Sequence, residues 1–401
     1  MGAAARRLRK RPRTRVRVTM LVRCLAMMRG GGETRHLAWA RELTALGVDV
    51  EIIAGRPLLL GGPRYGTDDF PVTLLRSPYA RDFVYRHQHR RGFGRLTMTA
   101  LHADEEWFCR AAWRRIAAGP RKPDLVHAHA LHQAARLRVG DIPVVINLPG
   151  EPNVRYRSDL QHADALVADG WAAQHLPGKL GRSIEFIPKG VDATRFRPDG
   201  PTAREHLHLE SRRVVIAVAR LVPLKNLRLL IEAVAKVCVR LPDTQLLIVG
   251  DGPERAAVRA RVAELGLTDS VTFAGSVPQG DLPLFYRAAD VFALSSDFDN
   301  SPNVVLEAMA SGLPVVATDV GGVRDFVAEG IGGAVVPPGN ATALANALER
   351  YLAQPDRARA AGTHNRLKAS AEFSWRGSAL QLLDVYRRVI DSRRGEHRAS
   401  A

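Results

Sequence analysis

Short apolar runs rich in β-branched residues alternate with amphipathic stretches along almost the whole chain, and no other feature restricts its fold so tightly. In the second half the apolar runs fall at 214–219, 245–249, 271–274, 291–295, 314–318 and 334–336. Between them, helical spacing marks 226–240, 253–265, 282–289, 302–311, 323–329 and 341–353. A run that is apolar throughout suits a strand buried on both faces, and helices of this length carry the chain back so that successive strands lie parallel. The pattern predicts an α/β fold built on parallel sheets with helices on both sides.

The first half repeats the scheme with runs at 16–22, 48–54, 125–127, 144–148, 165–168 and 184–187. The stretch 56–94 lacks periodicity and is read as loops around a short strand near 72–75, of the variable kind that carries specificity. Trp107, Phe108 and Trp113 form a helical stripe that reads as core. Pro188 and Gly190 break the pattern between two complete α/β arrays, and 401 residues exceed a single compact core. The expected division is a basic extension at 1–14, one Rossmann-like domain at 15–190 and a second at 191–375. A last helix within 376–393, with no strand after it, is expected to pack back on the first domain.

The net charge of +17 calls for an anionic partner or a solvated basic tail. The first 21 residues supply eight of those charges, from Arg6 to Arg17, with no acid among them. Much of the rest lies between Arg81 and Lys122. Both basic stretches belong to the first half, so peripheral contact with an anionic membrane is one reading, and a floppy tail on a soluble enzyme the other. Nucleic acid is disfavoured, because no basic face with interleaved aromatics and no reader motif is present. Three widely spaced cysteines give neither a disulfide framework nor a zinc spacing. No run is long enough to span a bilayer, so a cytoplasmic location is expected.

Four stretches carry chemistry. In 299–314, Ser301 is read as an N-cap, Pro302 as the first helical residue and Gly312 as the stop, so a helix begins just after a strand end. Its free N–H groups favour an anion, while Asp299 and Glu307 are carboxylates suited to sugar or ribose hydroxyls. The plain alternative is ordinary capping with a solvated Glu307. Arg220 and Lys225 flank a short loop after the strand 214–219, a pattern that suits adjacent phosphates or a cationic surface. Gly30, Gly31 and Gly32, before Glu33, and the turn Gly250-Asp-Gly252 allow close backbone approach to a phosphate or sugar. The glycines at 30–32 lack dinucleotide-fingerprint spacing. His127 and His129 share a strand face; without a third ligand nearby, they are read as lining a site or satisfying a buried hydrogen bond rather than holding a metal.

In order and spacing these motifs resemble glycosyltransferase family 4, the retaining enzymes with the GT-B fold, over nearly the whole chain and most strongly from about 184 to 338. The matching segments are Gly30-Gly-Gly-Glu33, Pro123-Asp-Leu-Val-His-Ala-His129, Ile187-Pro-Lys-Gly-Val-Asp192, Arg220-Leu-Val-Pro-Leu-Lys225, Val249-Gly-Asp-Gly-Pro253, Tyr286-Arg-Ala-Ala-Asp290, Glu307-Ala-Met-Ala-Ser-Gly-Leu-Pro-Val-Val316 and Gly321-Gly322. The resemblance implies two Rossmann-like domains facing a central cleft. It also implies a nucleotide diphosphate sugar, UDP- or GDP-linked, as donor, a hydroxyl acceptor, retention at the anomeric carbon and no metal or other cofactor. Arg220 and Lys225 would neutralise the departing diphosphate and Glu307 would hold the ribose. Asp299 would contact the donor sugar together with the backbone from Asn300 to Val304, where Asn300, Ser301, Asn303 and Val304 supply amide N–H groups and Pro302 supplies none. Gly31, Gly32 and Gly252 would face donor atoms.

Two departures stand out. Asp299 occupies a position where the family usually has Glu. The sequence Asn147-Leu-Pro-Gly-Glu-Pro152 places Pro149 where many members have a histidine; beside the expected donor contact Gly150, either Glu151 or one of His127 and His129 would fill that space, or the site is tuned to another donor. The acceptor would be a glycolipid, a polysaccharide or a secondary metabolite. A degenerate nucleotide-sugar-binding subunit, or an epimerase or phosphorylase on the same fold, remains the alternative.

Overall fold

The structure is a computed structural model and describes residues 15–25, 31–56, 70–76, 94–209 and 212–400. The extension 1–14, Gly30 and the arginines between 81 and 93 lie outside the described residues, so the proposals that rest on them are not addressed by it.

Thirteen strands are found among the described residues: β1 Arg17–Leu21, β2 Asp49–Arg56, β3 Val72–Arg76, β4 Leu125–His129, β5 Val144–Leu148, β6 Ala165–Ala168, β7 Glu185–Phe186, β8 Arg213–Val218, β9 Thr244–Val249, β10 Val271–Gly275, β11 Val291–Leu294, β12 Val315–Thr318 and β13 Gly333–Val336. They form a seven-stranded sheet, ordered β3-β2-β1-β4-β5-β6-β7, and a six-stranded sheet, ordered β10-β9-β8-β11-β12-β13. Pairing is parallel, as where Val218 lies opposite Val249 and Phe292 opposite Ile216. Both orders reverse direction once, between β1 and β4 and between β8 and β11, which is the doubly wound Rossmann-like arrangement. The chain forms two compact units. One holds the described residues up to Asn147, Asn153–Leu166 and the chain from Leu383; the other holds Leu148–Pro152 and Val167–Leu382.

The longer helices are α1 Gly31–Ala45, α2 Gly94–Ala118, α3 Gly170–Leu180, α4 Leu227–Arg240, α5 Arg255–Glu264, α6 Asn303–Ala310, α7 Ala341–Leu352, α8 Pro355–Glu372 and α9 Trp375–Ser400. Each strand of the second sheet feeds two cores. Val214, Ile216 and Val218 of β8 enter one with Phe292, Leu306 and Met309, while Val215 and Ala217 enter the other with Leu230, Ile231 and Val234 of α4. That alternation is the period-two geometry of a strand buried on both faces. In the first unit Phe108 and Trp113 of α2 are almost wholly buried, and the Trp113 indole N–H donates to the Ala134 carbonyl at 2.8 Å.

Helix α8 carries no apolar stripe that periodicity could reveal. Its buried residues are Ala361, Gly362, Asn365 and Ala369, and a Cβ on Gly362 would lie 2.8 Å from the Gly312 carbonyl carbon. Close backbone approach takes the place of large side chains. The last helix runs from Trp375 to Ser400, well beyond the expected span. None of the described helices is long and apolar enough to cross a membrane.

Candidate active site

The second sheet reverses between β8 and β11, and ligands of open α/β sheets bind at the strand C-termini beside such a reversal. The residues that follow these two strands are the ones sequence reasoning singles out. After β8, Arg220 is exposed and makes no side-chain hydrogen bond or ion pair among the described residues. A short 3₁₀ turn, Pro223–Lys225, follows. Asn226 then adopts φ 41°, a left-handed conformation that asparagine tolerates, and its side-chain oxygen caps α4 by accepting from the Leu229 N–H at 3.2 Å.

Cross-strand hydrogen bonds stitch this turn to the end of β11. The Ser295 hydroxyl donates to the Lys225 carbonyl at 3.0 Å, the Asp297 N–H to the Leu224 carbonyl at 3.0 Å, and the Asn226 side-chain N–H to Asp297 Oδ1 at 2.7 Å. Lys225 Nζ forms an ion pair with Asp299 Oδ2, and the Ser296 hydroxyl lies 3.4 Å from the same oxygen. The two residues assigned separately to phosphate and to sugar therefore meet each other.

The helix α6 starts at Asn303, one residue later than the sequence suggests. Pro302, at φ −75° and ψ 114°, is itself the N-cap and Ser301 does not cap: its hydroxyl is buried without a hydrogen-bond partner among the described residues, as is Asn303 Oδ1. Ser301 instead contributes its carbonyl, which accepts from Lys189 Nζ. At the other end, Gly312 takes φ 78° as expected of a helix stop. Val304 lies in the first turn.

Glu307 is not a solvated surface residue. It is 9% exposed, and Oε2 accepts from the Tyr286 hydroxyl at 2.9 Å, while Oε1 has no hydrogen-bond partner among the described residues. Burial raises its pKa above the usual carboxylate value, with the tyrosine hydrogen bond opposing that shift. Burial and the Glu307 charge push the Tyr286 phenol well upward, so it stays protonated and donates. Gly252 serves packing: a Cβ there would lie 2.8 Å from the Leu221 carbonyl carbon, because the 250–252 turn is hydrogen-bonded to the loop after β8 through Leu221 N–H and Asp251 O at 3.0 Å.

In the first unit, Gly31 and Gly32 open α1. A Cβ on Gly32 would lie 2.7 Å from His129 Cε1, so the absence of a side chain admits the imidazole. His36, which sequence reasoning passed over, has Nδ1 2.8 Å from the Gly32 carbonyl, and its ring centroid lies 4.3 Å from that of His129 and 5.1 Å from that of His127. His129 Nδ1 is 2.9 Å from Asn147 Oδ1. His127 is fully buried and bonds through Nδ1 to the Tyr386 hydroxyl, so it supports the fold rather than offering itself to a substrate. Burial first, then the charges of His129 and Arg35, push its pKa down to about 3, and burial likewise lowers His36 well below its usual value. In the second unit Gly150 is half-buried with open space where a side chain would sit, and Glu151 pairs with Lys179 at 2.7 Å. No group of three or more His, Cys, Asp or Glu among the described residues is arranged to hold a metal ion.

Residues 201–368 match the family described as Glycosyl transferases group 1. A D-inositol 3-phosphate glycosyltransferase from Nocardia farcinica is 32% identical over 397 residues, covering 89% of this chain and 84% of that protein. A GDP-mannose-dependent alpha-(1-6)-phosphatidylinositol monomannoside mannosyltransferase from Mycolicibacterium smegmatis is 37% identical over 214 residues, covering 51% of this chain and 56% of that protein. The match therefore spans little more than half the length of the mannosyltransferase. Among solved structures, the sucrose-phosphate synthase of Thermosynechococcus elongatus has a TM-score of 0.77 at 23% identity, covering 94% of this chain and 100% of its own. The Anabaena protein HepE, solved with UDP and glucose, has a TM-score of 0.71 at 20% identity, covering 92% of this chain and 99% of its own.

Proposed function

Because the chain belongs to the group 1 glycosyl transferases and has their GT-B fold of two Rossmann-like domains, we propose that it moves a sugar from a UDP- or GDP-linked donor to a hydroxyl acceptor with retention at the anomeric carbon. The observation that carries this reading is the Lys225–Asp299 ion pair, held between the ends of β8 and β11 beside the first turn of α6. A cation, a carboxylate and a helix N-terminus at a sheet reversal match the charge pattern of a sugar joined to a diphosphate. When the donor arrives, Lys225 leaves Asp299 for the diphosphate. Arg220 is the second cation, and Asp299 is released to the sugar hydroxyls.

The bond from the anomeric carbon to the phosphate oxygen then breaks, and the acceptor oxygen bonds to that carbon on the same face. The acceptor proton passes to the departing phosphate oxygen. The negative charge growing on that oxygen is what Arg220, Lys225 and the amides of α6 stabilise, and charge stabilisation of this kind is a large contribution to catalysis. Glu307, with Oε2 engaged by Tyr286, offers Oε1 to the ribose hydroxyls. Cationic side chains and a helix N-terminus together replace a metal ion.

The likeness over 89% of the chain to a D-inositol 3-phosphate glycosyltransferase supports a small polyhydroxylated acceptor as the first class to assay. Calorimetry with UDP and GDP, followed by hydrolysis assays with UDP-glucose and GDP-mannose, tests the donor. Binding of one nucleotide with slow hydrolysis of its sugar is the expected result. Failure to bind either nucleotide would refute the reading, and tight binding with no hydrolysis or transfer would leave a nucleotide-sugar-binding subunit.

A further inference from the structure

The loop 299–302 is gripped from a part of the second unit that lies far away in sequence. Lys189 and Asp169 are both buried, at 8% and 1% exposure. Lys189 Nζ donates to the Ser301 carbonyl and lies 3.6 Å from Asp169 Oδ2. Asp169 Oδ1 accepts from Asn300 Nδ2 at 3.3 Å, and Asn300 Oδ1 accepts from the Ala172 N–H at 2.9 Å. The Asn300 carbonyl accepts from two further backbone groups, the N–H of Trp171 at 3.3 Å and of Gly322 at 2.8 Å. Two glycines with positive φ make room for it. A Cβ on Gly170 (φ +50°) would lie 2.9 Å from Ser301 Cβ, and one on Gly321 (φ +54°) would lie 2.6 Å from the Asn300 carbonyl oxygen.

A buried ion pair is poor evidence of stabilisation, since apolar residues of the same size often serve stability as well or better. What this pair does is directional. Lys189 takes hold of the carbonyl just before the N-cap of α6, and Asp169 takes hold of the Asn300 side chain one residue earlier. The orientation of the peptide groups from 300 to 303, and with them the amides facing a donor, is fixed from behind. From this geometry we infer that Lys189 and Asp169 are positioning residues that hold the 299–302 loop in its donor-receiving conformation; this rests on the donor site proposed above. Neither residue touches the donor. Because Glu307 and Arg220 lie outside the gripped loop, the effect falls on the sugar-bearing part of the donor rather than on the nucleotide.

The test uses the full chain with Lys189→Met, Asp169→Asn and the double variant. It compares turnover of UDP-glucose and GDP-mannose, calorimetric affinity for UDP and GDP, and the melting temperature. In Lys189→Met, turnover should fall by about tenfold to a hundredfold, the cost of a loop displaced by about an ångström. The affinity for the free nucleoside diphosphate should stay within about twofold, because Arg220 and Glu307, the proposed diphosphate and ribose contacts, lie outside the gripped loop. The double variant, with no unpaired buried charge, should regain melting temperature without regaining turnover. A purely structural pair would instead make turnover and melting temperature fall and recover together, which would overturn the inference. Unchanged turnover in Lys189→Met, or nucleotide affinity lost in step with turnover, would overturn it equally. If Lys189→Met does not fold, the double variant carries the same comparison. Wild-type protein that binds neither UDP nor GDP would remove the donor site itself, whereas wild-type binding with an indifferent Lys189→Met removes this inference alone.

Discussion

Glu307 offers the sharpest handle on the nucleotide site, because two consequences of its burial run in opposite directions with pH. The carboxyl is 9% exposed and its pKa is raised by desolvation above the usual 4.5. Between 4.5 and the raised value the folded state holds a proton that the unfolded chain has released, so this group's contribution to stability declines as pH rises through that window. Nucleotide binding should do the reverse. The ribose hydroxyls donate hydrogen bonds, and an ionised carboxylate accepts them more strongly, so affinity should rise as Glu307 ionises. Hydrogen bonds to a charged group contribute about 1.5–3 kcal/mol, which corresponds to roughly tenfold to a hundredfold in affinity. Glu307→Gln should lose about that much and flatten the Glu307-dependent part of the pH profile. Tyr286→Phe removes the 2.9 Å hydrogen bond that opposes the pKa rise, so it should move the wild-type profile to higher pH without flattening it. Calorimetric titration of UDP and GDP at a series of pH values reads all three proteins. Titration of the nucleotide phosphate is common to them and cancels in the comparison. Unchanged affinity in Glu307→Gln would refute the ribose assignment, and a Tyr286→Phe profile that does not move would refute the coupling.

Three further expectations are open to direct measurement. Arg220→Ala and Lys225→Ala should each lose about 2.7–4 kcal/mol of transition-state stabilisation, typical of a missing oxyanion donor, with near-normal melting; near-normal kcat/KM would end the phosphate assignment. Gly252→Ala should cost about 1–3 kcal/mol in a denaturant titration, since its Cβ would meet the Leu221 backbone; an unaffected midpoint would mean that the two loops part easily. His36 and His127 are buried neutral with lowered pKa values, so their contribution to stability is present above the unfolded value of 6.5 and is lost as pH falls below it. Each adds a slope of up to about 1.36 kcal/mol per pH unit below 6.5. His127→Gln should remove one share of that slope, and an unchanged slope would contradict the assignment.

How legible the chain is depends on what kind of contact defines each element. The strands follow from uninterrupted apolar runs, and β5 and β6 have the expected bounds. Residues at strand ends are equally readable: Arg220, Lys225 and Asp299 fall beside the sheet reversal because strand order and loop position together put them there. Helix α8 was not legible, because its packing relies on Ala361, Gly362, Asn365 and Ala369, and Asn365 bonds to the Leu313 and Gly332 carbonyls rather than filling an apolar stripe. The start of α6 was off by one residue: Pro302 takes the N-cap position, and the Ser301 carbonyl just before it accepts from Lys189, 112 positions away, a contact that local capping preference does not reveal. Tyr286 lies within a segment that carried the family resemblance, yet nothing in its spacing shows that its hydroxyl meets Glu307. His36, Asp169 and Lys189 likewise become visible only when the fold brings distant residues together.

Retention without a metal, as proposed for the site built by β8, β11 and α6, is open to one decisive assay. The most direct measurement is the anomeric configuration of the first-formed product, read by NMR during transfer from a UDP- or GDP-linked α-sugar to inositol phosphate or another small polyol, in excess EDTA. The account predicts turnover undiminished by the chelator and an α-linked product. A β-linked product, or activity abolished by EDTA and restored by magnesium or manganese, would contradict it.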